Sequence, residues 1–220
     1  MGLNISTASA GGSFLDIVRF DARAGRIFRN DRQDGVTESS ELKAFKAVMD
    51  MENIEVGWLL FAAGMAPVMV LVPLGEPMPP RPNEDAKQGF RMVMKLDTAS
   101  AGGMNPIREM AGTSKALVGA ISVLHDHYLA GLAANPGKLP VVALTGTIPV
   151  ESGSGAKKST NYSPVFAITG WVARPATLVA SPRDQAPASA PAAAPAARAP
   201  ATGSRIAPPP AAAVGADDFG

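Results

Sequence analysis

The pattern of apolar and polar positions predicts a domain built mainly of β-strands. The segment GFRMVMKLD alternates between the two kinds of residue, which places one set of side chains in the core and the charged set on the opposite face. The apolar set consists of Phe90, Met92, Met94 and Leu96. Arg91 and Lys95 belong to the charged set.

Other segments show the same strand-like character. FLDIVRFDARAGRIFRNDR predicts a hairpin with its turn at Ala24–Gly25, and the polar stretch DRQDGVTESSE is expected to separate this hairpin from the next strand. FKAVMDMENIEVGWLLF predicts a long bent strand, and PVMVLVPLG a short strand flanked by breakers. VVALTGTIPV and SPVFAITGWV predict a second hairpin, joined by the basic loop ESGSGAKKSTNY.

One segment changes from strand to helix periodicity. Asn105 reads as an N-cap followed by proline at the first helical position, and apolar residues then recur at helical spacing from Ile107 to Leu132. NPG ends this pattern. The spacing therefore predicts one long helix from about residue 106 to Leu132.

The order of these elements favours an OB-fold-like architecture. Three strands, a helix and two more strands match a five-stranded barrel with its helix between strands three and four, here preceded by an N-terminal hairpin. A β-sandwich is the alternative, although it does not require a helix at that point. Residues 1–175 would form this domain.

Beyond Pro175 the composition changes to Ala, Pro and Ser, which offer little apolar surface for a core. Residues 176–220 are therefore expected to be a disordered tail. The tail ends in an acidic and aromatic tip that consists of Asp217, Asp218 and Phe219. Such a tether with a tip is suited to reaching a partner, and a dispensable tail is the alternative interpretation.

Composition and charge exclude several classes of site. The formal net charge is +1, so a nucleic-acid partner must be argued from where the charges lie. Cysteine is absent, which excludes disulfides and thiolate chemistry. His125 and His127 lie two residues apart on the predicted helix and cannot chelate one metal together. GSGAKKST lacks the glycine that a P-loop places before its lysine. No enzyme activity, metal or cofactor is predicted.

After these exclusions, the remaining candidate site is a set of basic residues interleaved with aromatic residues. Cations bind phosphates, and rings stack on unpaired bases, so this combination predicts binding of single-stranded nucleic acid. The candidate contacts are Arg19, Arg23, Arg26, Arg29, Arg91, Lys95, Lys157, Lys158, Tyr162 and Trp171. The alternative is that the arginines form ordinary surface ion pairs with the neighbouring aspartates, and that the tryptophans are core residues.

The OB-like domain, the Ala/Pro tether and the tip Asp217-Asp218-Phe219 together resemble the phage and bacterial single-stranded DNA-binding proteins. That resemblance implies a tip that docks on replication, recombination and repair enzymes and competes for the basic groove when DNA is absent. This tip departs from the family pattern because it carries two acids and is followed by Gly220.

The resulting hypothesis is a phage or prophage accessory protein that coats single-stranded DNA in the bacterial cytoplasm and recruits enzymes through its tip. Homo-oligomerisation is left open, and no apolar run is long enough to predict a membrane span. The alternative is a structural or interaction protein, such as a virion component tethered by its Ala/Pro tail.

Overall fold

Ten strands and two α-helices make up the part of the chain that the computed structural model describes, residues 15–62, 67–152, 154 and 158–178. The N-terminal strands are β1 (Ile17–Asp21), β2 (Arg26–Gln33), β3 (Val36–Glu41) and β4 (Lys46–Met49). After a 3-10 turn at Met51–Asn53, the chain forms β5 (Glu55–Leu60), β6 (Val68–Pro73) and β7 (Lys87–Leu96). The remaining elements are α1 (Thr98–Ala101), β8 (Ile107–Gly112), α2 (Lys115–Leu132), β9 (Lys138–Ser152) and β10 (Ser159–Ala173).

All ten strands belong to one mixed sheet. Eight of them follow the order β10-β9-β4-β7-β8-β1-β2-β3, and β5 branches from β7 and pairs with β6. The β1–β8 pair is parallel, and the other pairs are antiparallel. The five-stranded barrel expected from the sequence is therefore not what these residues form: the sheet has twice as many strands and does not close.

The sheet nevertheless curls around its core. The backbone N–H of Tyr162, at the start of β10, donates to the carbonyl of Ala22 in the β1–β2 turn at 2.6 Å, although four strands separate β10 from β1 in the sheet. The face on the inside of this curve, the inner face, carries Phe90, Met92 and Met94 and packs against α2. The predicted mainly β fold is confirmed, whereas the predicted barrel is not.

The outer face of the sheet is also covered at its centre. Val93 of β7 packs there with Leu139 and with Leu178, which is 1% exposed. Arg174 makes two hydrogen bonds to Asp50, at 2.6 and 2.7 Å, and fixes the chain that leads to Leu178. The chain thus follows the domain as far as Leu178, three residues beyond the boundary predicted at 175.

The long helix ends as predicted but begins later. Ser114 caps α2 by accepting a hydrogen bond from the Leu117 N–H at 3.2 Å, whereas Asn105 forms a short turn by accepting from the Ile107 N–H at 3.0 Å. Ile107 to Gly112 is a strand because it pairs with β7, with Met110 opposite Met92. Pairing with a neighbouring strand therefore overrode the local helical spacing.

The polar stretch after the first hairpin is a strand as well. Asp34 and Gly35 both have positive φ, 49° and 80°, and form the tight turn that returns the chain as β3 along β2. The predicted long bent strand from Phe45 to Phe61 is two strands, β4 and β5, which pair with opposite ends of β7. The predicted β6 strand and the hairpin that became β9–β10 are confirmed.

Candidate nucleic-acid interface

The β1–β2 turn is held by the carboxylate of Asp21. This group accepts backbone hydrogen bonds from Arg23 at 3.0 Å and Ala24 at 3.2 Å. The hydrogen bond from Ala24 is the largest influence that lowers the Asp21 pKa below its usual value, and the bonds from Arg23 and Arg19 add to it against partial burial. The carboxylate thus stays ionised at neutral pH, and the turn exposes the Arg23 side chain.

Tyr162 joins this turn to the β9–β10 hairpin. Gly25 has φ 66°, and a Cβ atom there would lie 2.9 Å from Cγ of the Tyr162 ring. The next residue, Ser163, donates from its hydroxyl to the carbonyl of Ala116 in the first turn of α2 at 3.1 Å. Three elements therefore meet at what we call the hairpin junction, defined as Ala22–Gly25, Lys115–Ala116 and Tyr162–Ser163.

The hairpin junction carries exposed cations. Arg23 and Lys115 are exposed, and neither makes an ion pair within the described part of the chain. Lys158 directly precedes β10 and lies four residues before Tyr162, a separation of about 13 Å in an extended chain. Its ammonium group is 2.6 Å from Glu151, but both side chains are more than half exposed. Such a surface pair is weak and can exchange its carboxylate for a phosphate.

Lys115 was not among the residues that the sequence pattern singled out. It is the first residue of α2, where the positive end of the helix dipole disfavours a cation, and no acidic residue lies in this first turn. A lysine in this place works against helix stability. An unfavourable lysine at the start of a helix would have singled out Lys115. This signal could not be used at the level of sequence, because the predicted helix began at about residue 106.

Arg19 and Arg26 lie on the outer face of the first hairpin. The Arg19 guanidinium stands over the Phe28 ring, 5.0 Å from its centroid, and contacts Asp21 at 3.2 Å. Arg26 pairs with Glu41 at 3.1 Å. Both arginines are about half exposed, so they add positive charge beside the turn that carries Arg23.

The two predicted cations of β7 differ in exposure. Arg91 is only 2% exposed and its guanidinium contacts Glu55 and, at 3.4 Å, Glu109. Its charge is compensated inside the protein, which is evidence against contact with a phosphate. Lys95 lies on the same face of the strand and is partly exposed.

Arg29 points to the other side of the sheet from Arg19 and Arg26. Its Nε donates to Asp31 at 2.8 Å, and Nη1 donates to the carbonyls of Ser100 and Ala101. The side chain is 11% exposed. Asp31 also contacts Arg108, so these contacts are evidence for a structural role of Arg29, and its contact with DNA stays a prediction.

Trp171 belongs to the packing between β10 and α2. Its ring stacks on Tyr128, with centroids 5.7 Å apart, and lies so close to Gly131 that a Cβ atom there would overlap the indole. Part of the residue is exposed. One side of the ring is thus occupied by the helix, and base stacking by the exposed part stays a prediction.

Several sequence predictions fall outside the described residues. These are the assignments for Lys157, Asp217, Asp218 and Phe219. Within the ranges described, no helix is long and apolar enough to cross a membrane. No group of histidine and acidic side chains in these ranges has the arrangement of a metal site.

Gly25 offers a direct test of the hairpin junction. Replacing Gly25 with alanine places a methyl group against the Tyr162 ring and strains a positive φ, so we expect a loss of about 1–3 kcal/mol in the free energy of unfolding. Chemical denaturation measures this loss. Gly35→Ala is the matched control because it shares the positive φ but has open space around its Cβ. Equal losses in the two variants would contradict contact between Gly25 and Tyr162.

Comparison with known proteins adds no family assignment. No protein-family model matches this chain, and no curated protein or solved structure matches it significantly.

Proposed function

We propose that this protein binds single-stranded DNA without strong sequence preference and without chemical change. The observation that carries the proposal is the hairpin junction, where the turn of the first basic hairpin meets the turn-proximal part of β10 and the first turn of α2. Arg23 and Lys115 are exposed cations of this junction, Lys158 is an exposed cation four residues before Tyr162, and Tyr162 itself is partly exposed.

This combination suits a single strand better than a duplex. Cations follow the phosphates, while an aromatic ring can stack only on a base whose face is open. Arg19 and Arg26 extend the positive charge along the outer face of the first hairpin. OB-fold proteins also bind single strands on a curved sheet flanked by loops, and the curled sheet with its long β9–β10 hairpin offers a comparable surface.

The proposal includes the biological setting inferred from the sequence. A phage or prophage replication or recombination accessory protein would coat transient single strands and recruit enzymes through Asp217, Asp218 and Phe219. The Ala/Pro-rich segment before that tip would act as a tether.

Titration of a fluorescent oligonucleotide with the full chain tests the binding activity. We expect binding at low salt and a linear fall in the logarithm of the association constant with the logarithm of the salt concentration. A duplex of the same sequence should compete less well than the unlabelled single strand. Absence of binding at low salt, or binding that does not respond to salt, would refute the proposal.

The double variant Arg23→Gln/Lys115→Gln tests whether the hairpin junction is the contact surface. Each lost phosphate contact should reduce the salt slope by about 0.7, so the double variant should lose about 1.4. Lys138→Gln is the matched control, because Lys138 is exposed at the end of β9 furthest from the β9–β10 turn. If the double variant still binds DNA with an unchanged salt slope, the contact surface does not include the hairpin junction.

A further inference from the structure

The outer face of the first hairpin carries an aromatic ring among polar side chains. Phe28 lies on β2 opposite Arg19 of β1 and Glu41 of β3, whereas its neighbours along the chain, Ile27 and Arg29, point to the inner face. Ile27 is 1% exposed and belongs to the core, but Phe28 is only partly buried. Packing in the core therefore does not account for the position of this ring.

A guanidinium group lies over this ring. Arg19 is 47% exposed, and its side chain contacts the ring of Phe28 at 5.0 Å and the carboxylate of Asp21 at 3.2 Å. Asp21 also accepts two backbone hydrogen bonds, from Arg23 and Ala24. Arg19 can therefore leave the ring for a phosphate without leaving the carboxylate of Asp21 unpaired, and exposed contacts of this kind are weak.

A nucleobase would bind this ring more strongly than the guanidinium does. Stacking of a base on an aromatic side chain is stronger than an exposed cation–π contact, and sheets that present rings on one face are a common platform for single-stranded nucleic acid. Arg26 is 59% exposed and lies on the same face, between Phe28 and the turn. Gly25 of the hairpin junction is three residues from Phe28, about 10 Å in an extended chain. One strand of DNA could therefore contact both places.

From these contacts we infer that the outer face of the first hairpin is a further base-binding site, at which Phe28 stacks on a base of single-stranded DNA while Arg19 binds a neighbouring phosphate. This inference rests on the proposed function, because it adds a contact to the same DNA-binding activity. The ring of Phe28 carries no charge, so the affinity that it contributes would not depend on salt. The cations of the hairpin junction would supply the salt-dependent part.

Substitutions at Phe28 separate stacking from charge. We expect Phe28→Leu to bind a fluorescent oligothymidine about 10-fold more weakly, the effect of losing one stacked base, with an unchanged salt slope. Phe28→Tyr keeps an aromatic ring and should bind as tightly as the unchanged protein. Phe61→Leu is the matched control, because Phe61 is an aromatic residue that is 50% exposed at the end of β5, and this variant should also bind normally.

Photochemical cross-linking decides the question if Phe28→Leu fails to fold. Ultraviolet irradiation of the unchanged full chain with oligothymidine joins thymine to the side chains that it contacts, and digestion with mass spectrometry identifies the cross-linked peptides. We expect a cross-link in the peptide that contains Phe28. Cross-links confined to other peptides would overturn the inference.

The outcomes distinguish this inference from the proposed function. If Phe28→Leu folds and binds the oligothymidine as tightly as the unchanged protein, the base-binding site at Phe28 is refuted and the DNA-binding activity stands. If the unchanged protein itself does not bind the oligothymidine at low salt, both proposals are refuted.

Discussion

Replacing Asp31 with leucine is expected to lower the free energy of unfolding by about 3–5 kcal/mol. Asp31 is 3% exposed and lies between two arginines, with Arg29 Nε at 2.8 Å and Arg108 Nη2 at 2.6 Å. Arg108 is fully buried. Removing the carboxylate takes away the acidic partner of Arg29 and one of the two acidic partners of Arg108, and the loss arises because neither guanidinium is exposed enough to be hydrated instead.

Because of its geometry, the stability of this cluster depends on the negative charge of Asp31 more than on hydrogen bonds. Asp31 and Arg108 are close, but the two atoms are not aligned as a hydrogen bond, and Arg108 Nε has no hydrogen-bond partner among the described residues. Other contacts of Arg108 are an ion pair with Asp16 at 2.9 Å and a hydrogen bond to the Asn30 carbonyl at 3.3 Å. These contacts cannot replace the negative charge of Asp31 at the centre.

Denaturant unfolding of four proteins measures the effect. Beside the unchanged protein and Asp31→Leu, the triple variant Arg29→Met/Asp31→Leu/Arg108→Met removes all three charges, and we expect it to recover most of the lost stability. Asp126→Leu serves as control because Asp126 is exposed on α2; its change should stay within about 0.5 kcal/mol. A loss below 1 kcal/mol for Asp31→Leu would mean that the cluster is hydrated.

Gly57→Ala should produce the second large effect, a loss of about 3 kcal/mol. A Cβ atom at Gly57 would overlap the carbonyl oxygen of Val70 and press on Cα of Leu71, both in the backbone of β6. Backbone cannot rotate out of the way as a side chain can, so β6 must move away from β5.

The matched control for Gly57→Ala is Gly146→Ala on β9, where the space around the added methyl group is empty. That variant should keep or slightly raise the stability, because alanine restricts the unfolded chain. Unfolding of the two variants should be measured at the same protein concentration. Hydrogen exchange that stays slow in β6 of Gly57→Ala would contradict the proposed displacement.

Local patterns identified most strands but not all of them. FDARAGRIF was sufficient for the first hairpin, since its turn lies at Gly25 and its apolar residues Phe20 and Ile27 are buried on one face. β3 was missed although Asp34-Gly35 is a strong hairpin signal. VTESSE contains a single apolar residue, so a search for alternation overlooks a strand that is polar on both faces.

The candidate site was predicted only in part, because side chains on one hairpin can belong to different environments. Arg26 and Arg29 are three residues apart on β2 and therefore point to opposite faces, where their side chains are 59% and 11% exposed. Lys115 is separated from Arg23 by more than ninety residues, yet the contact of Ser163 with Ala116 brings its helix to the same junction. Sequence distance carries no information about such a meeting.

Periodicity and turn chemistry within short segments were enough to predict the β-rich character of the domain, the two basic hairpins and the end of α2. Three outcomes became known from the three-dimensional structure alone: residues 107–112 are a strand, the sheet has ten strands and stays open in the described part of the chain, and Arg29 and Arg91 are paired with carboxylates inside the protein. These outcomes depend on which distant segments pair, and the free energy of that pairing exceeds the local preferences of the chain.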